Sequence, residues 1–431
     1  MLSLKFIREN LELMRETIER RKDEEMMNAL NALLKKDEEW RSVKKQVDEL
    51  RHKRNQISMR INELKKQGKD FFSLLDEAKQ IPKQIAEHEK RMDELDSEIK
   101  SLLRKIPNVM HPEVPYGESD KDNVVKKKWG IKRKFNFKVK NHVEILENLG
   151  LADFDASARV SGRGFYFIKG DLAKLNQALI AYARDFMESK GYLYIEPPLL
   201  IEKRVIEAAL DLTNIQQSIY EVKDSDLCLI GTSEHALLGI HDHQILDEKD
   251  LPLKYYSYSM CFRKEIGSHG INEKGLWRTH QFNKVEQFIY CTKEQSWNMF
   301  FELLQNSEEI LQGLELPYRV IEICTGDLGI WKARSMDLEV WRPTINDYGE
   351  VMSLSNCTDY QARDLEIRVR RKDGNLEYVH TLNDTALATS RIMVAIIENY
   401  QNEDGTITVP KVLRKYMNGQ ETIPAKKSFK V

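Results

Sequence analysis

The segment from Phe262 to Phe282 reads FRKEIGSHGINEKGLWRTHQF. It holds two arginines, two glutamates and two histidines around a loop punctuated by Gly267, Gly270 and Gly275. With residues 255–266 and 276–290 as the strands of a hairpin, side chains alternate between faces. Arg263 and Glu265 then share one face of the first strand. Arg278, His280, Phe282, Lys284 and Glu286 share a face of the second, with Trp277, Thr279, Gln281, Asn283 and Val285 opposite. Arg278 to Phe282, and Phe282 to Glu286, each span about 13 Å at strand rise. Guanidinium groups grip phosphate oxygens bidentately, a phenyl ring offers a stacking face to a base, and a distant carboxylate can hold an ammonium. The pattern therefore fits an elongated, multiply charged ligand. It equally fits a surface hairpin laced by cross-strand ion pairs, which contribute little.

The chain around this stretch has 431 residues, enough for two or three domains. A net charge of -2 with 32% charged residues gives no global sign of nucleic-acid binding but leaves room for a local basic patch. The opening MLSLKFIRENLELMRETIERRKDEE is too charged for a signal peptide, and no later run is long and apolar enough for a membrane span. Five cysteines stand singly, at 228, 261, 291, 324 and 357, with no C-x-x-C pair. The expectation is a cytoplasmic protein in a reducing compartment, without a membrane association. No glycine-rich nucleotide loop of either common type occurs.

Apolar residues recur by threes and fours from Trp40 through Val43, Val47, Leu50, Ile57, Ile61 and Leu64, broken only where Arg54 takes a seam position. A second series runs from Ala78 through Ile81, Ile85, His88, Met92, Leu95, Ile99 and Leu102 to Ile106. This spacing predicts an antiparallel helical hairpin, turning near Gly68, with arms of about 27 residues or roughly 40 Å. Pro82 should end a turn or kink the return helix. Residues 41–69 carry ten basic and three acidic residues, a net +7, whereas residues 70–105 sum to -2. Such a rod is either a solvated, dimerising coiled coil or a basic surface for a phosphate backbone, and the asymmetry favours the second. The Pro-containing stretch 106–123 reads as a linker. Beyond it, residues 171–190 form an amphipathic helix capped by Asp171 and followed by Gly191. Strands are expected near 254–265, 276–291, 318–324, 336–341, 349–357, 364–370 and 376–382. Short turns join most of them, which predicts an α+β fold with an antiparallel sheet and flanking helices. The expected boundaries are an N-terminal helical arm over 1–110, a linker over 111–125 and a sheet domain over 126–431.

Arg263-x-Glu265 together with Gly275-Leu276-x-Arg278-x-x-Gln281-Phe282-x-Lys284-x-Glu286 resembles motif 2 of the class II aminoacyl-tRNA synthetases, in the form found in seryl-tRNA synthetases. GYLYIEPPLL, with Pro197 and Pro198, resembles motif 1. Residues 381–417, with Arg391, resemble motif 3. GTSEH at 231–235 is similar to the Thr-x-Glu motif of the seryl family, and SGRGFYFIKGDLAKL to its entry into the catalytic domain. The segment HTLNDTALATS resembles the archaeal or eukaryotic rather than the bacterial form of the family. The resemblance covers nearly the whole chain, with the motifs in order.

That resemblance implies an enzyme that activates L-serine with ATP and transfers it to the terminal adenosine of tRNA(Ser), and of tRNA(Sec) where one exists. It implies that Arg263 holds the α-phosphate and the adenylate, that Glu265 meets the adenine side, and that Phe282 stacks on adenine. Arg391 lies on the base's other side, near the γ-phosphate. Lys264, Arg278, Thr279, Val351 and Met352 complete the ATP contacts. Thr232, Ser233, Glu234, Glu286, Asn383 and Thr385, with Arg263, take the serine. Glu350 and Ser353 hold Mg²⁺, although residues three apart reach one ion only through a bulge or twist of the strand. Lys44, Lys45, Arg51, Lys53, Arg54 and Arg60 face the tRNA, and the enzyme is a homodimer. No zinc is expected; His241 and His243 read as a polar helix face, and Cys357 as packing. Two other classes share these motifs: a relative that passes its amino acid to a carrier protein, and a coiled-coil binding protein with an inactive domain. The long arm speaks against the first, and the full set Arg263, Glu265, Arg278, Glu286, Glu350 and Arg391 against the second.

Overall fold

The computed structural model describes residues 1–266 and 274–424, and the chain divides into two compact units, Leu2–Pro107 and Asn108–Val431 with Met1. The loop glycines Gly267 and Gly270 lie outside the described residues.

In the first unit, α1 (Glu24–Lys66) and α2 (Phe72–Leu103) pack as an antiparallel pair. The ends of α1 follow from its sequence. Asp23 accepts the Met26 N–H at 2.9 Å, Glu24 and Glu25 occupy the positive end, and Lys65 and Lys66 the negative end. Gly68, at φ +63°, turns the chain. The hairpin is longer than the spacing predicted. At 43 residues, α1 runs roughly 65 Å, because it extends back through the charged KKDEE at 35–39 into an apolar stretch in which Ala29, Leu30 and Leu33 are buried. Helix α2 continues through Pro82. Val47, Ile57, Ile61, Ile81 and Ile85 form the buried seam. Ion pairs cross between the helices: Lys36–Glu98 at 2.6 Å, Arg91–Glu39 at 2.6 Å, Arg51–Glu89 at 2.7 Å, and Lys53–Glu77. Of the cations in the basic segment 41–69, Arg51 and Lys53 are thus used between the helices, while Arg91–Glu39 runs with the opposite polarity.

The second unit is built on a sheet of eight strands among the described residues. They are β1 (Val124–Trp129), β2 (Leu193–Tyr194), β3 (Leu253–Phe262), β4 (Gln281–Cys291), β5 (Tyr318–Glu322), β6 (Arg334–Arg342), β7 (Asp347–Asn356) and β8 (His380–Ala388). Their spatial order is β1-β5-β6-β7-β8-β4-β3-β2. All neighbours are antiparallel except the short edge pair β2–β3. Helices α3 (Gly170–Ser189), α4 (Ser233–Gly239), α5 (Ser296–Gly313) and α6 (Thr389–Asn399) pack on it. The architecture is the expected α+β class. Several details differ. Helix α3 starts at Gly170, so Asp171 contributes first-turn charge rather than a cap, while Gly191 follows the helix at φ +79°. The last expected strand is two, Leu376–Tyr378 and β8. The lysine-rich VVKKKW is an edge strand, where lysines discourage pairing with another chain. Residues after Pro107 are already packed: the Asn108 N–H bonds the Ile330 carbonyl at 2.7 Å, and Met110 and Val114 are buried with Ile321, Ile323 and Leu328.

Two irregularities in this sheet set the site. Pairing of β6 with β7 steps from Leu338–Met352 to Glu339–Glu350, leaving Val351 as an extra residue. Pairing of β8 with β4 steps from Thr385–Glu286 to Leu387–Val285, leaving Ala386 extra. Both are bulges, which re-aim the side chains on either side.

The arm seam generates one prediction. Ile81 is almost fully buried, so Ile81→Ala should cost about 2–4 kcal/mol of helical-arm stability. The check is amide exchange in the full-length protein, where protection should fall in α1 and α2 and hold in β4 and β8.

Candidate active site

The bulged strands, β4, the start of α6 and the chain after β3 enclose a cavity of about 280 Å³. At one part of it acids converge. Glu286 lies on β4 directly across from Thr385 on β8, and both are buried. The Thr232 hydroxyl lies 3.3 Å from Glu286 Oε2 and accepts the Glu234 N–H at 3.2 Å, which starts α4. The Glu234 carboxylate accepts from Gln361 at 3.0 Å and from Asn383 at 3.1 Å. Lys284, two residues before Glu286 on the same face, forms a buried ion pair with it. Burial first, and then Glu286, push the Glu234 carboxyl above the usual range. This corner presents carboxylates, a hydroxyl and an amide: groups that would hold an ammonium beside a hydroxyl.

A second cluster surrounds Glu350. Arg391 Nη1 lies 3.2 Å from its carboxylate and 2.9 Å from its carbonyl, while Arg391 Nε donates to the Trp277 carbonyl at 3.3 Å. Burial works against charge on Glu350, but Arg391 prevails and holds its carboxyl below the ordinary range. Asp337 on β6 pairs with Ser353 on β7, and its Oδ1 is buried without a partner. Burial, then Glu350, push the Asp337 carboxyl up to about 7. Arg263 stands between the clusters. Its Nε donates to the Gly231 carbonyl at 3.0 Å, beside Thr232, and its guanidinium lies 5.3 Å from the Phe282 ring centroid.

The cavity brings together fourteen of the residues singled out by sequence: Thr232, Glu234, Arg263, Glu265, Arg278, Thr279, Phe282, Glu286, Glu350, Val351, Ser353, Asn383, Thr385 and Arg391. Glu350 and Ser353 share it because of the Val351 bulge, the device their spacing required. Three residues fall outside its lining. Met352 points into the main core opposite Leu338, since the bulge shifts the alternation. Ser233 is fully buried within α4. Lys264 turns away, and its backbone N–H bonds the Ser218 carbonyl at 2.8 Å.

The expected shared face of the second strand holds only for Phe282, Lys284 and Glu286. Strand β4 begins at Gln281, so residues 277–279 are free of alternation and all three line the cavity. His280 does not; its Nδ1 meets the Arg263 carbonyl at 2.9 Å. Arg278 reaches Glu265 at 2.9 Å, and Glu265 adopts φ +52° as the chain leaves β3. His241 and His243 lie in the turn after α4, not on a helix face as expected, because the helix ends at Gly239; His241 has both ring nitrogens engaged, by Gln244 and Tyr255 at 2.9 Å each, and His243 bonds Asp242. Cys357 is buried near Asn383.

Sequence reasoning missed Trp277, Trp331, Lys332, His235 and Asp337. Trp331 and Lys332 lie in a connection with no pattern to mark it. Asp337 left a signal: in MDLEVW the apolar residues alternate toward the core, so an acid between them faces the other side.

Comparison with known proteins adds independent findings. Residues 1–110 match the seryl-tRNA synthetase N-terminal domain, and residues 219–400 match the tRNA synthetase class II core domain (G, H, P, S and T). The serine–tRNA ligase of Methanospirillum hungatei is 46% identical over 423 residues, covering 98% of this chain and 100% of the relative. That of Pyrococcus horikoshii is 44% identical over 448 residues, covering 99% and 98%. A crystal structure of seryl-tRNA synthetase from Pyrococcus horikoshii complexed with ATP superposes with a TM-score of 0.94 at 43% identity, over 99% of this chain and 100% of that one. A cytoplasmic serine–tRNA ligase from Naegleria fowleri in complex with AMP gives 0.88 at 32% identity, over 97% of each.

The electrostatics of the cavity wall yield a pH prediction. His235 is buried on α4, where its Nδ1 lies 3.4 Å from the Gly231 N–H. Burial, then Arg263 and Lys284, lower its pKa from 6.5 to about 3. Below pH 6.5 the unfolded chain takes a proton that the folded chain refuses, so stability is full above that pH and falls as pH drops toward 3. His235→Asn removes this contribution. Between pH 7 and 5 its stability should fall by about 2 kcal/mol less than the parent's, measured as the shift in urea midpoint; equal acid shifts would refute the account.

Proposed function

Because the chain belongs to the seryl-tRNA synthetase family, we propose that this cavity joins ATP and L-serine head to head. The activity is that of a serine–tRNA ligase. Serine's carboxylate attacks the α-phosphorus of ATP, the bond to the bridging oxygen breaks, and pyrophosphate leaves. The terminal adenosine hydroxyl of tRNA(Ser), or of tRNA(Sec) where one exists, then attacks the adenylate's carbonyl carbon, and AMP departs. The observation that carries this reading is the meeting, in one cavity, of the Thr232–Glu234–Glu286 corner with Arg263, Phe282 and the Glu350–Arg391 pair.

In this reading Glu234 and Glu286 take the serine ammonium, with Thr232, Asn383 and Thr385 around its hydroxyl. Arg263, between the clusters, neutralises the α-phosphate where charge builds in the transition state. Phe282 stacks on adenine and Glu265 reads its edge, with Arg278 held against Glu265. Arg391 takes the γ-phosphate end. A divalent ion fits beside it: Glu350, Ser353 and the unpartnered Asp337 oxygen are hard oxygen donors of the kind Mg²⁺ prefers. Bound there, Mg²⁺ would offset phosphate charge. A site built to hydrogen-bond a hydroxyl rejects alanine by roughly 10⁴–10⁵, while threonine is excluded by size.

The arm over 1–110 is proposed as the tRNA-binding element. Its cations are not equivalent. Arg51 and Lys53 are tied to the return helix, and Lys45 and Arg60 to acids on their own helix. Among the described residues Lys44 and Arg54 have no carboxylate partner, and both are exposed, which makes them the cations available to phosphate. A cytoplasmic homodimer is proposed as well. Leu193 on the sheet's edge strand and Leu200 on a separate two-stranded sheet, 60% and 44% exposed, flank Pro197-Pro198 in the chain and supply apolar area for a second copy. Among the described residues no helix is long and apolar enough to cross a membrane.

ATP–pyrophosphate exchange across the twenty amino acids tests the first half-reaction. Serine alone should support it, and Arg263→Ala should abolish it; exchange retained by that variant removes Arg263 from its role. The arm is tested separately. Lys44→Ala with Arg54→Ala should leave exchange intact and raise KM for tRNA. The log–log salt dependence of tRNA binding should flatten by about one for each phosphate deprived of its cation. Unchanged tRNA binding would place the nucleic-acid surface elsewhere.

A further inference from the structure

Arg391 begins a chain of contacts that runs away from the cavity. Its Nε donates to the Trp277 carbonyl, and its guanidinium carbon lies 5.5 Å from the Trp277 ring centroid. A second guanidinium, that of Arg342 at the end of β6, lies 4.1 Å from the same ring. Two like charges therefore share one indole, whose electron-rich face offsets their repulsion. Arg342 is itself fixed by Glu398, through Nη2 to Oε1 at 2.8 Å and Nε to Oε2 at 3.2 Å, a two-pronged pair on a fully buried carboxylate. The same carboxylate accepts from Thr344 at 2.8 Å and meets His142 Nδ1 at 3.3 Å. The other nitrogen of His142 accepts the Leu276 N–H at 3.2 Å, gripping the backbone one residue before Trp277.

The space around the ring is equally constrained. A Cβ on Gly349 would lie 2.4 Å from Trp277 Cζ2 and 3.1 Å from Arg342 Cδ. A Cβ on Gly275 would lie 2.5 Å from His142 Nε2, at a backbone φ of +142°. Arg391 and Glu398 stand seven residues apart on α6, two turns along one face. One helix thus supplies both the cation in the cavity and the carboxylate that anchors its support.

We propose that Trp277, Arg342 and Glu398 are positioning residues that hold the Arg391 guanidinium at the triphosphate end of the cavity before ATP arrives. The proposal rests on the assignment of Arg391 given above. An arginine left to rotate would lose side-chain freedom on binding and would meet the phosphates in many geometries; one stacked and tethered is already in place. AMP, which keeps the adenine but lacks the β- and γ-phosphates, should depend on this support less than ATP does.

The test measures KM for ATP in the exchange reaction and inhibition by AMP, in the full-length protein. Trp277→Leu and Arg342→Met should each raise KM for ATP on the order of tenfold. AMP inhibition should weaken by at most about threefold, KM for serine should stay within about twofold, and Trp277→Phe, which keeps a ring face, should recover most of the loss. In a double-mutant cycle, Trp277→Leu with Arg391→Ala should be no worse than Arg391→Ala alone. Additive losses, or ATP and AMP weakened alike, would show that Trp277 merely supports the cavity wall and overturn the proposal. An Arg391→Ala variant that binds ATP as before would instead strike the assignment of Arg391 itself, and the proposal with it.

Discussion

A regular β-strand shows every second residue to one face, and this cavity needs more than that from its central strands. Glu350, Val351 and Ser353 on β7, and Thr385 and Ala388 on β8, all reach the same space. Two extra residues, Val351 and Ala386, make this possible by breaking the pairing with β6 and β4. The consequences spread outward. The first bulge sets Glu350 where Arg391 meets it and leaves Ser353 facing Asp337, while sending Met352 into the core. The second keeps Thr385 opposite Glu286 and places Ala388, which has almost no side chain, at the cavity's edge just before Arg391. An antiparallel sheet of this size can absorb two broken ladder pairs because its other face is held by a continuous apolar core that includes Leu338, Leu354, Leu382 and Leu387.

Once side chains are gathered in this way, charge must be arranged as well as placed. Glu234 and Glu350 are the same residue type in the same cavity, yet burial and its neighbours move them in opposite directions. The nearest charged influence on Glu234 is another acid, whereas that on Glu350 is Arg391. A buried pair such as Lys284–Glu286 stabilises a fold weakly, since desolvation offsets much of its attraction, and a partly exposed pair such as Arg391–Glu350 contributes little because solvent screens it. Lys284–Glu286 and Arg391–Glu350 are better understood as groups held ready for ligand charge than as contributors to folding. The free energy that keeps them there comes from the core beneath.

Much of this was legible in the sequence, and the limits have physical causes. Hydrophobic spacing reports local periodicity, so the helical pair, the strand set and the antiparallel class could be read. The chemistry of Phe282 and Glu286 could be read from alternation because both lie in the regular part of β4, whereas Arg263 and Glu265 stand just past the end of β3. Alternation failed where regular structure stops. Trp277 was assigned to the far face, yet it precedes β4 and turns inward, and its partners Arg342, Gly349 and Arg391 are 65, 72 and 114 positions away in the chain. A bulge leaves no mark in a single sequence either: Glu350 and Ser353 looked incompatible until pairing showed the extra residue between them. The basic arm illustrates a different limit. Composition gave the charge of each helix correctly, but the partners of Arg51 and Lys53 depend on how the two helices meet.

The two regions of the cavity are built from different kinds of structure, and the difference matches what each must recognise. The acid corner stands on regular elements: Glu286 and Thr385 are paired across neighbouring strands, Asn383 lies two residues from Thr385, and Glu234 starts a helix. A ligand distinguished by one hydroxyl demands such fixed geometry, because discrimination depends on leaving polar groups unpaired when the hydroxyl is missing. The cationic region draws on residues outside strands: Arg263 and Glu265 past the end of β3, residues 277–279 before β4, and Lys332 before β6. A polyanion with many equivalent oxygens tolerates small displacements of each cation, so irregular backbone suffices provided the guanidiniums are individually tethered. Each of them is: Arg263 to Gly231, Arg278 to Glu265, and Arg391 to Trp277 and Glu350. Rigid backbone reads the small ligand and tethered side chains grip the large one, a division that lets a single sheet bind two chemically unlike molecules in contact.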